Sequence, residues 1–223
     1  MSFAADVDAA EAYDRWFDRA WGRYAFGIES TALLKAAGKL DGLRVLDVGC
    51  GTGRFTAELA RKGAFPVGVD RDSAMLAVAH GRGIRSLVLA DAGRLPLADA
   101  SFDIAFAVTL CEFVDDVEQV FSELARVIRP GGRFVVGGLN PKSPWGFLDR
   151  ARFQQAPWIE VRFLSRQELT RLGSRYGAVT LAAALFAPEN LPAIKVAGPA
   201  LELLGRLTPS LGAFQVLVVQ RPA

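Results

Sequence analysis

The middle of the chain alternates short, almost wholly apolar runs with stretches whose apolar residues recur every three to four positions. The apolar runs, bounded by glycine and turn residues, predict buried strands at 44–48, 65–69, 86–89, 104–108 and 133–136. The 3.6-residue period predicts helices near 54–62, 73–80 and 117–128, the last capped by Asp115 with Glu118 three residues on. Strands that are apolar throughout, rather than on alternate positions, are covered by helices on both faces. Strand–helix alternation with short glycine-rich links therefore implies parallel β-α-β units in a doubly wound sheet.

Three segments lie outside that alternation. Residues 4–37 read as one or two amphipathic helices, with Tyr13, Trp16, Phe17, Trp21 and Tyr24 spaced by three and four or nearly so. Residues 141–164 form a long aromatic-rich connection that includes Trp145 and Trp158. Residues 188–213 carry an apolar helix-like piece at 200–207 between glycine and proline breaks. Beyond the middle, a helix near 166–176, a strand at 178–186 and a last strand at 214–219 follow, the two strands forming an antiparallel pair.

Composition narrows the field. The chain has 223 residues, 51% apolar and 22% charged, which fits one globular domain with its own core. A net charge of +2 argues against a dedicated nucleic-acid binder. The longest charge-free run, 207–220, is shorter than the ~18 apolar residues of a membrane span, and the N-terminus shows no basic-then-apolar leader pattern. Two cysteines, Cys50 and Cys111, and one histidine, His80, exclude a disulfide framework and the His/Cys zinc signatures. A cytoplasmic location is expected.

The most informative stretch is VLDVGCGTG, residues 45–53. A buried strand runs into Asp47, and glycines 49, 51 and 53 precede a helix, which lets the backbone turn sharply and approach a ligand closely. The third glycine falls one residue too early for G-x-G-x-x-G, because Arg54 takes that place, and no G-x-x-x-x-G-K-[ST] loop exists.

With three further blocks, this stretch resembles the class I S-adenosylmethionine (SAM) methyltransferases, in the small-molecule branch of the ubiquinone/menaquinone-biosynthesis type (type 11). GVDRDSAML at 68–76 resembles the second-strand acid motif, ADAGRLPLADASFD at 90–103 the D-x-x-x-L-P…S-F-D block, and ELARVIRPGGRF at 123–134 the turn into the fifth strand. The resemblance covers about 43–140. It implies a Rossmann-like, mostly parallel seven-stranded sheet with an antiparallel last strand, in three α/β/α layers. It also implies a single methyltransferase domain over 1–223, with 1–40 and 141–164 as lid and 187–213 as insertion.

The resemblance implies SAM as cofactor and S-adenosylhomocysteine as product. A carboxylate at Asp70, after the second strand, accepts both ribose hydroxyls. Asp47 lies near the methionine ammonium, and Gly49, Cys50, Gly51 and Gly53 form the floor beneath the methionine. Asp91 accepts from the adenine amino group, the Ala92 N–H meets a ring nitrogen, and Arg71 and Met75 cover the adenine faces. Thr109, after the fourth strand, completes the cofactor set. Each has a plainer reading: Asp47 and Asp91 as loop caps, Asp70 as a turn acid, Cys50 and Met75 as packing residues. Asp103 belongs to strand entry and His80 to a helix end.

For the acceptor, Glu112 and Tyr13 are the candidate bases, with Tyr13, Trp16, Glu112 and Trp145 lining the pocket and no metal. The acceptor is a small, partly apolar or aromatic molecule. TLCEFV at 109–114 lacks the [DNS]-P-P-[YFW] motif of nucleic-acid amino-methyltransferases, so no nucleic acid is expected. A stable membrane anchor is not expected, and the chain is a monomer or homodimer. The rival readings are an aminopropyltransferase-like enzyme of the same fold, a non-catalytic partner or regulatory protein of that fold, and, third, a nicotinamide-dependent oxidoreductase.

Overall fold

The computed structural model describes residues 6–144, 161–189, 194–205 and 207–223. Two helices open the chain, α1 (Val7–Trp16) and α2 (Ala20–Ala37). The alternating core follows: β1 (Arg44–Val48), α3 (Arg54–Arg61), β2 (Phe65–Asp70), α4 (Ser73–Gly81), β3 (Leu87–Leu89), β4 (Phe102–Val108), α5 (Val117–Val127) and β5 (Ile128–Leu139). The last part comprises α6 (Arg166–Gly173), β6 (Ala178–Ala184), α7 (Ile194–Gly205), a short 3-10 turn (Pro209–Leu211) and β7 (Phe214–Gln220).

The seven strands form one sheet in the order β3-β2-β1-β4-β5-β7-β6. β7 runs antiparallel to both its neighbours, and every other pairing is parallel. The expected architecture is therefore present. β1 explains why its sequence is apolar on consecutive positions: Val45 packs into the cluster on one face and Leu46 into the cluster on the other. One face carries Phe121, Leu124, Phe134 and Leu169 beneath α5 and α6. The opposite face carries Leu33, Phe55, Leu59, Phe106 and Phe214 beneath α2 and α3.

Several boundaries depart from the sequence expectations: β4 begins at Phe102, β5 runs on to Leu139, β6 ends at Ala184, and four others differ as follows. α5 is capped by Asp116, whose carboxylate accepts the Gln119 N–H at 2.9 Å, not by Asp115. β5 begins at Ile128 rather than 133: its pairing with β4 jumps between Phe102 and Ile104, so Pro130 to Gly132 loop out and the ladder resumes at Arg133. α6 ends at Gly173 with Ser174 as its C-cap, short of 176; Gly173 itself packs against Val219, Leu217 and Val179, which leaves no room for a Cβ. α7 starts upstream of Pro199 instead of after it. Gly198 lets that turn lie directly on the ring of Tyr24, which overrides the helix-breaking tendency of proline.

α7 is fastened by one carboxylate. Glu202 accepts the N–H groups of Leu185, Phe186 and Ala187 at 3.0, 2.7 and 3.2 Å, and Tyr24 donates to it at 3.3 Å. Leu185 has φ +61°, which turns successive N–H groups toward one point, and the side chain fills that concavity. Among the described residues no helix is long and apolar enough to cross a membrane.

Candidate functional site

In an open parallel sheet the cleft lies at the carboxyl ends of the strands where the connection reverses direction, here between β1 and β4. Both strands end in backbone that ordinary residues seldom adopt. Gly49, Gly51 and Gly53 have φ +72°, +53° and +75°, and Thr109 has φ +47°. The three glycines have different reasons. A Cβ on Gly49 would sit 2.8 Å from Leu110 Cδ1, so the two strand ends touch there. A Cβ on Gly53 would sit 2.9 Å from the Ala79 methyl, so this glycine lets α3 pack against α4. Gly51 meets nothing within 4 Å and faces open space. Of the three, only Gly51 has open space where a Cβ would stand.

Asp70 is held ready beside it. One oxygen accepts the Gly51 N–H at 2.7 Å and the other the Asp72 N–H at 2.9 Å. Asp47 is 1% exposed and accepts from the Thr56 hydroxyl at 2.6 Å. Burial pushes its carboxyl up to about 7, the Thr56 bond opposing and the Asp70 charge adding. A buried carboxyl lifted this far has too few partners of its own, which suits a cation bound beside it.

The other expected cofactor residues divide. Asp91 is exposed and accepts the Gly93 N–H at 2.7 Å, so it caps its own loop. Ala92 is buried, Met75 half-buried and Arg71 exposed. Cys50 is buried against Gly68, and burial pushes its thiol up, as it does for Cys111. Neither thiol is activated. Asp103 bonds Arg129 and the Arg44 N–H at the far end of β4. His80 is exposed beside Arg85. Trp145 lies outside the described residues. Among the described residues no group of three or more His, Cys, Asp or Glu has a metal-holding arrangement.

The N-terminal helix closes over this loop through Asp14, which the sequence reading missed. Its carboxylate accepts from Thr52 Oγ1 at 2.6 Å, Arg54 Nε at 2.7 Å and Arg82 Nη2 at 2.7 Å. Arg54 also lies over the Phe17 ring, 5.3 Å from its centre. Burial pushes the Asp14 carboxyl up, but the bonds from Arg54 and Thr52 and the Arg82 charge outweigh it and hold it below the ordinary carboxylate range. A groove of about 450 Å³ lies between α1 and α4, lined by Val7, Glu11 and Ala77 among others and by none of the glycine loop.

That closure brings Tyr13 to the cleft. Tyr13 as a residue is 46% exposed, yet its hydroxyl is crowded by protein and acted on by the carboxylates of Glu29, Asp70 and Asp14. Burial first, then those charges, push the phenol up to about 12, so it stays protonated and acts as a donor. Trp16 is half-buried, packed edge-on against Phe17. Glu112 is 4% exposed at the end of β4, and its Oε1 accepts the Leu139 N–H at 2.7 Å. Burial pushes it up to about 7. Glu29, on the apolar stripe of α2 with Ala25 and Leu33, is pushed up to about 8 by burial and by the charge of Glu112. A lone acid in that stripe was the signal that sequence reading could have used.

Comparison with known proteins agrees with this geometry. The Methyltransf_11 profile, described as a methyltransferase domain, matches residues 46–136. An uncharacterized protein of Methanocaldococcus jannaschii is 31% identical over 169 residues, 75% of this chain and 78% of its own length. The demethylmenaquinone methyltransferase of Beutenbergia cavernae is 41% identical over 134 residues, 57% of this chain and 50% of that one. A Thermotoga maritima structure titled SAM-dependent methyltransferase, possible histamine N-methyltransferase, superposes with a TM-score of 0.78 at 28% identity, covering 96% of each chain. The site and fold thus define a class I SAM-dependent methyltransferase. The chain belongs to that family, in its type 11 branch, and SAM is the cofactor the family uses. The chain spans less than two thirds of most of the first relatives it matches, from 29% to 48% of three of the first four.

Proposed function

We propose that this protein transfers the methyl group of SAM to a small, partly apolar or aromatic acceptor. The observation that carries the reading is Gly51, bare toward open space beside an Asp70 carboxylate already oriented by two backbone N–H groups. SAM supplies a methyl on a sulfonium, electrophilic without any metal. In this reading Asp70 accepts the ribose hydroxyls and Asp47 faces the methionine ammonium, while Gly49, Cys50, Gly51 and Gly53 give the floor. Asp91, Ala92, Arg71 and Met75 surround the adenine, and Thr109 closes the β4 side. Much of the rate enhancement comes from holding the acceptor in line with the sulfonium, which needs no strong base.

Tyr13, Trp16 and Glu112 form the acceptor side, with Tyr13 donating a hydrogen bond. A carboxyl near 7 at Glu112 lies in the range where a side chain both takes and holds protons at neutral pH. Segments 1–40 and 141–164 serve as lid in this reading, and 187–213 is an insertion on one domain. The protein works in the cytoplasm as a monomer or homodimer, without nucleic acid or a stable membrane anchor.

The test is calorimetric titration with SAM and S-adenosylhomocysteine, followed by an acceptor screen with radiolabelled methyl and product mass. Binding of both ligands and a gain of one methyl support the reading. Folded, ligand-free protein that binds neither defeats it. An aminopropyl gain reassigns the reaction within the same fold.

A further inference from the structure

Next to the cleft lies a recess of about 10 Å³, room for one water-sized or ammonium-sized group. It is lined by Glu112, Gln215 and Gly138 with apolar Val136, Leu139, Leu164 and Leu169 around them. Its polar lining is one-sided. Glu112 Oε1 is taken by the Leu139 N–H, and Oε2 is buried with no hydrogen-bond partner. Gln215 is fully buried, and its Nε2 donates to the carbonyls of Leu139 and Leu164, at 3.2 and 2.5 Å. Two carbonyl partners fix the amide orientation, so Gln215 Oε1 is an acceptor, and it too is buried and unpartnered. Glu29 stands close enough for the charge of Glu112 to act on it. Two unpartnered, buried oxygens, Glu112 Oε2 and Gln215 Oε1, therefore line one recess, and a buried acceptor left unpaired is costly.

We propose that Glu112 and Gln215 anchor a basic nitrogen of the acceptor, an alkylammonium group whose N–H donors satisfy these oxygens, with the carboxyl of Glu29 adding charge from nearby. The proposal rests on the methyltransferase reading and names the acceptor class for that site. An ammonium held there has no lone pair, so it orients the molecule while another atom takes the methyl. The carboxyl of Glu112, half-protonated near neutrality, gives up its proton when the cation enters. The groups facing it are the Leu139 N–H from β5 and Gln215 from β7, and the charge of Glu29 acts on it from α2.

The experiment titrates the protein, loaded with S-adenosylhomocysteine, with three molecules of one frame: tyramine, tyrosol and 4-hydroxyphenylacetate. Calorimetry at pH 7 in two buffers of different ionisation enthalpy reads affinity and proton release together. Tyramine is expected to bind at least tenfold tighter than tyrosol and 4-hydroxyphenylacetate weakest, with tyramine alone releasing a proton. In Glu112→Gln that preference and the proton release disappear, and in Glu29→Gln the preference falls several-fold. Both variants are expected to keep S-adenosylhomocysteine affinity within threefold, which shows that they fold. Equal binding of the three molecules, preference for the acid, absence of binding by all, or a preference that survives both substitutions would overturn the proposal. Failure of S-adenosylhomocysteine to bind wild-type protein instead overturns the methyltransferase reading, which separates the two. Should Glu112→Gln not fold, the wild-type series and Glu29→Gln still decide.

Discussion

Asp14 on the first helix and Arg54 at the head of α3 form a two-pronged ion pair, Nε to Oδ1 at 2.7 Å and Nη2 to Oδ2 at 2.8 Å. The pair ties the N-terminal helix to the residue that directly follows the glycine loop. Arg54 is the residue that spoils the G-x-G-x-x-G spacing, and the pairing gives that departure a purpose. Arg82 and Thr52 bond the same carboxylate, so three elements meet at one side chain that is 16% exposed.

Loss of this latch is expected to speed ligand release as well as to lower stability. Asp14→Ala leaves Arg54 and Arg82 without their shared anion, and removing one partner of such a network costs about 2–3 kcal/mol where solvent reaches it. Stopped-flow dissociation of S-adenosylhomocysteine is expected to be roughly tenfold faster or more, since about 1.4 kcal/mol is a factor of ten. An unchanged release rate would show that α1 is not the gate.

Two neighbouring substitutions separate binding from folding. Gly51→Ala adds a methyl in open space at φ +53°, so its cost to the fold is about 1 kcal/mol of backbone strain. Gly53→Ala drives a methyl to 2.9 Å from Ala79 at φ +75° and is expected to cost about 2–3 kcal/mol. Affinity for S-adenosylhomocysteine is expected to fall at least tenfold in Gly51→Ala, and melting temperature to fall more in Gly53→Ala. Asp70→Ala is expected to lose about a hundredfold in affinity, because two charge-assisted bonds contribute about 3 kcal/mol. The reverse ranking of the two glycine variants would place the cofactor elsewhere.

Glu202 gives a test of how α7 is held. It satisfies three backbone N–H groups and the Tyr24 hydroxyl, so Glu202→Ala is expected to cost about 2–4 kcal/mol. Glu202→Gln keeps one acceptor oxygen and is expected to recover part of that. Denaturant melts of both variants check the ordering, and equal midpoints for wild type and Glu202→Ala would show that α7 is not held this way.

The sheet was legible because its strands are buried on both faces, which leaves unbroken apolar runs, and because glycines 49, 51 and 53 leave a spacing that few loops share. The boundaries were less legible. The α5 cap moved one residue because Asp115 and Asp116 are equal candidates in sequence and only the helix phase selects Asp116. α7 was truncated because Pro199 reads as a break, and its support comes from Tyr24, 175 positions earlier by number. Asp14, Arg82 and Gln215 carried no local signal: their partners lie on other elements, and long-range pairing leaves no periodic trace. Glu29 did leave one, as a charge on an apolar helix face.

Stability against pH follows from the buried acids. Burial raises Asp47 and Glu112 to about 7 and Glu29 to about 8, so between pH ~5 and 8 the folded chain holds protons that the unfolded chain has lost. More protons bound in the folded state means that stability falls as pH rises through this window. Asp14, Asp103, Glu123 and Glu168 are lowered by their partners and act oppositely: the stability they contribute is present above ordinary carboxylate values and is lost in acid. The unliganded protein is therefore expected to be most stable near pH 5 and to lose several degrees in melting temperature by pH 8. In Glu112→Gln no proton is lost at that position, so the decline between pH 6 and 8 is expected to be shallower. Thermal melts of both proteins at pH 5, 6, 7 and 8 measure the two slopes. Parallel slopes would mean that Glu112 is ionised at all four values and that its recess already holds a cation or a donor in the resting protein.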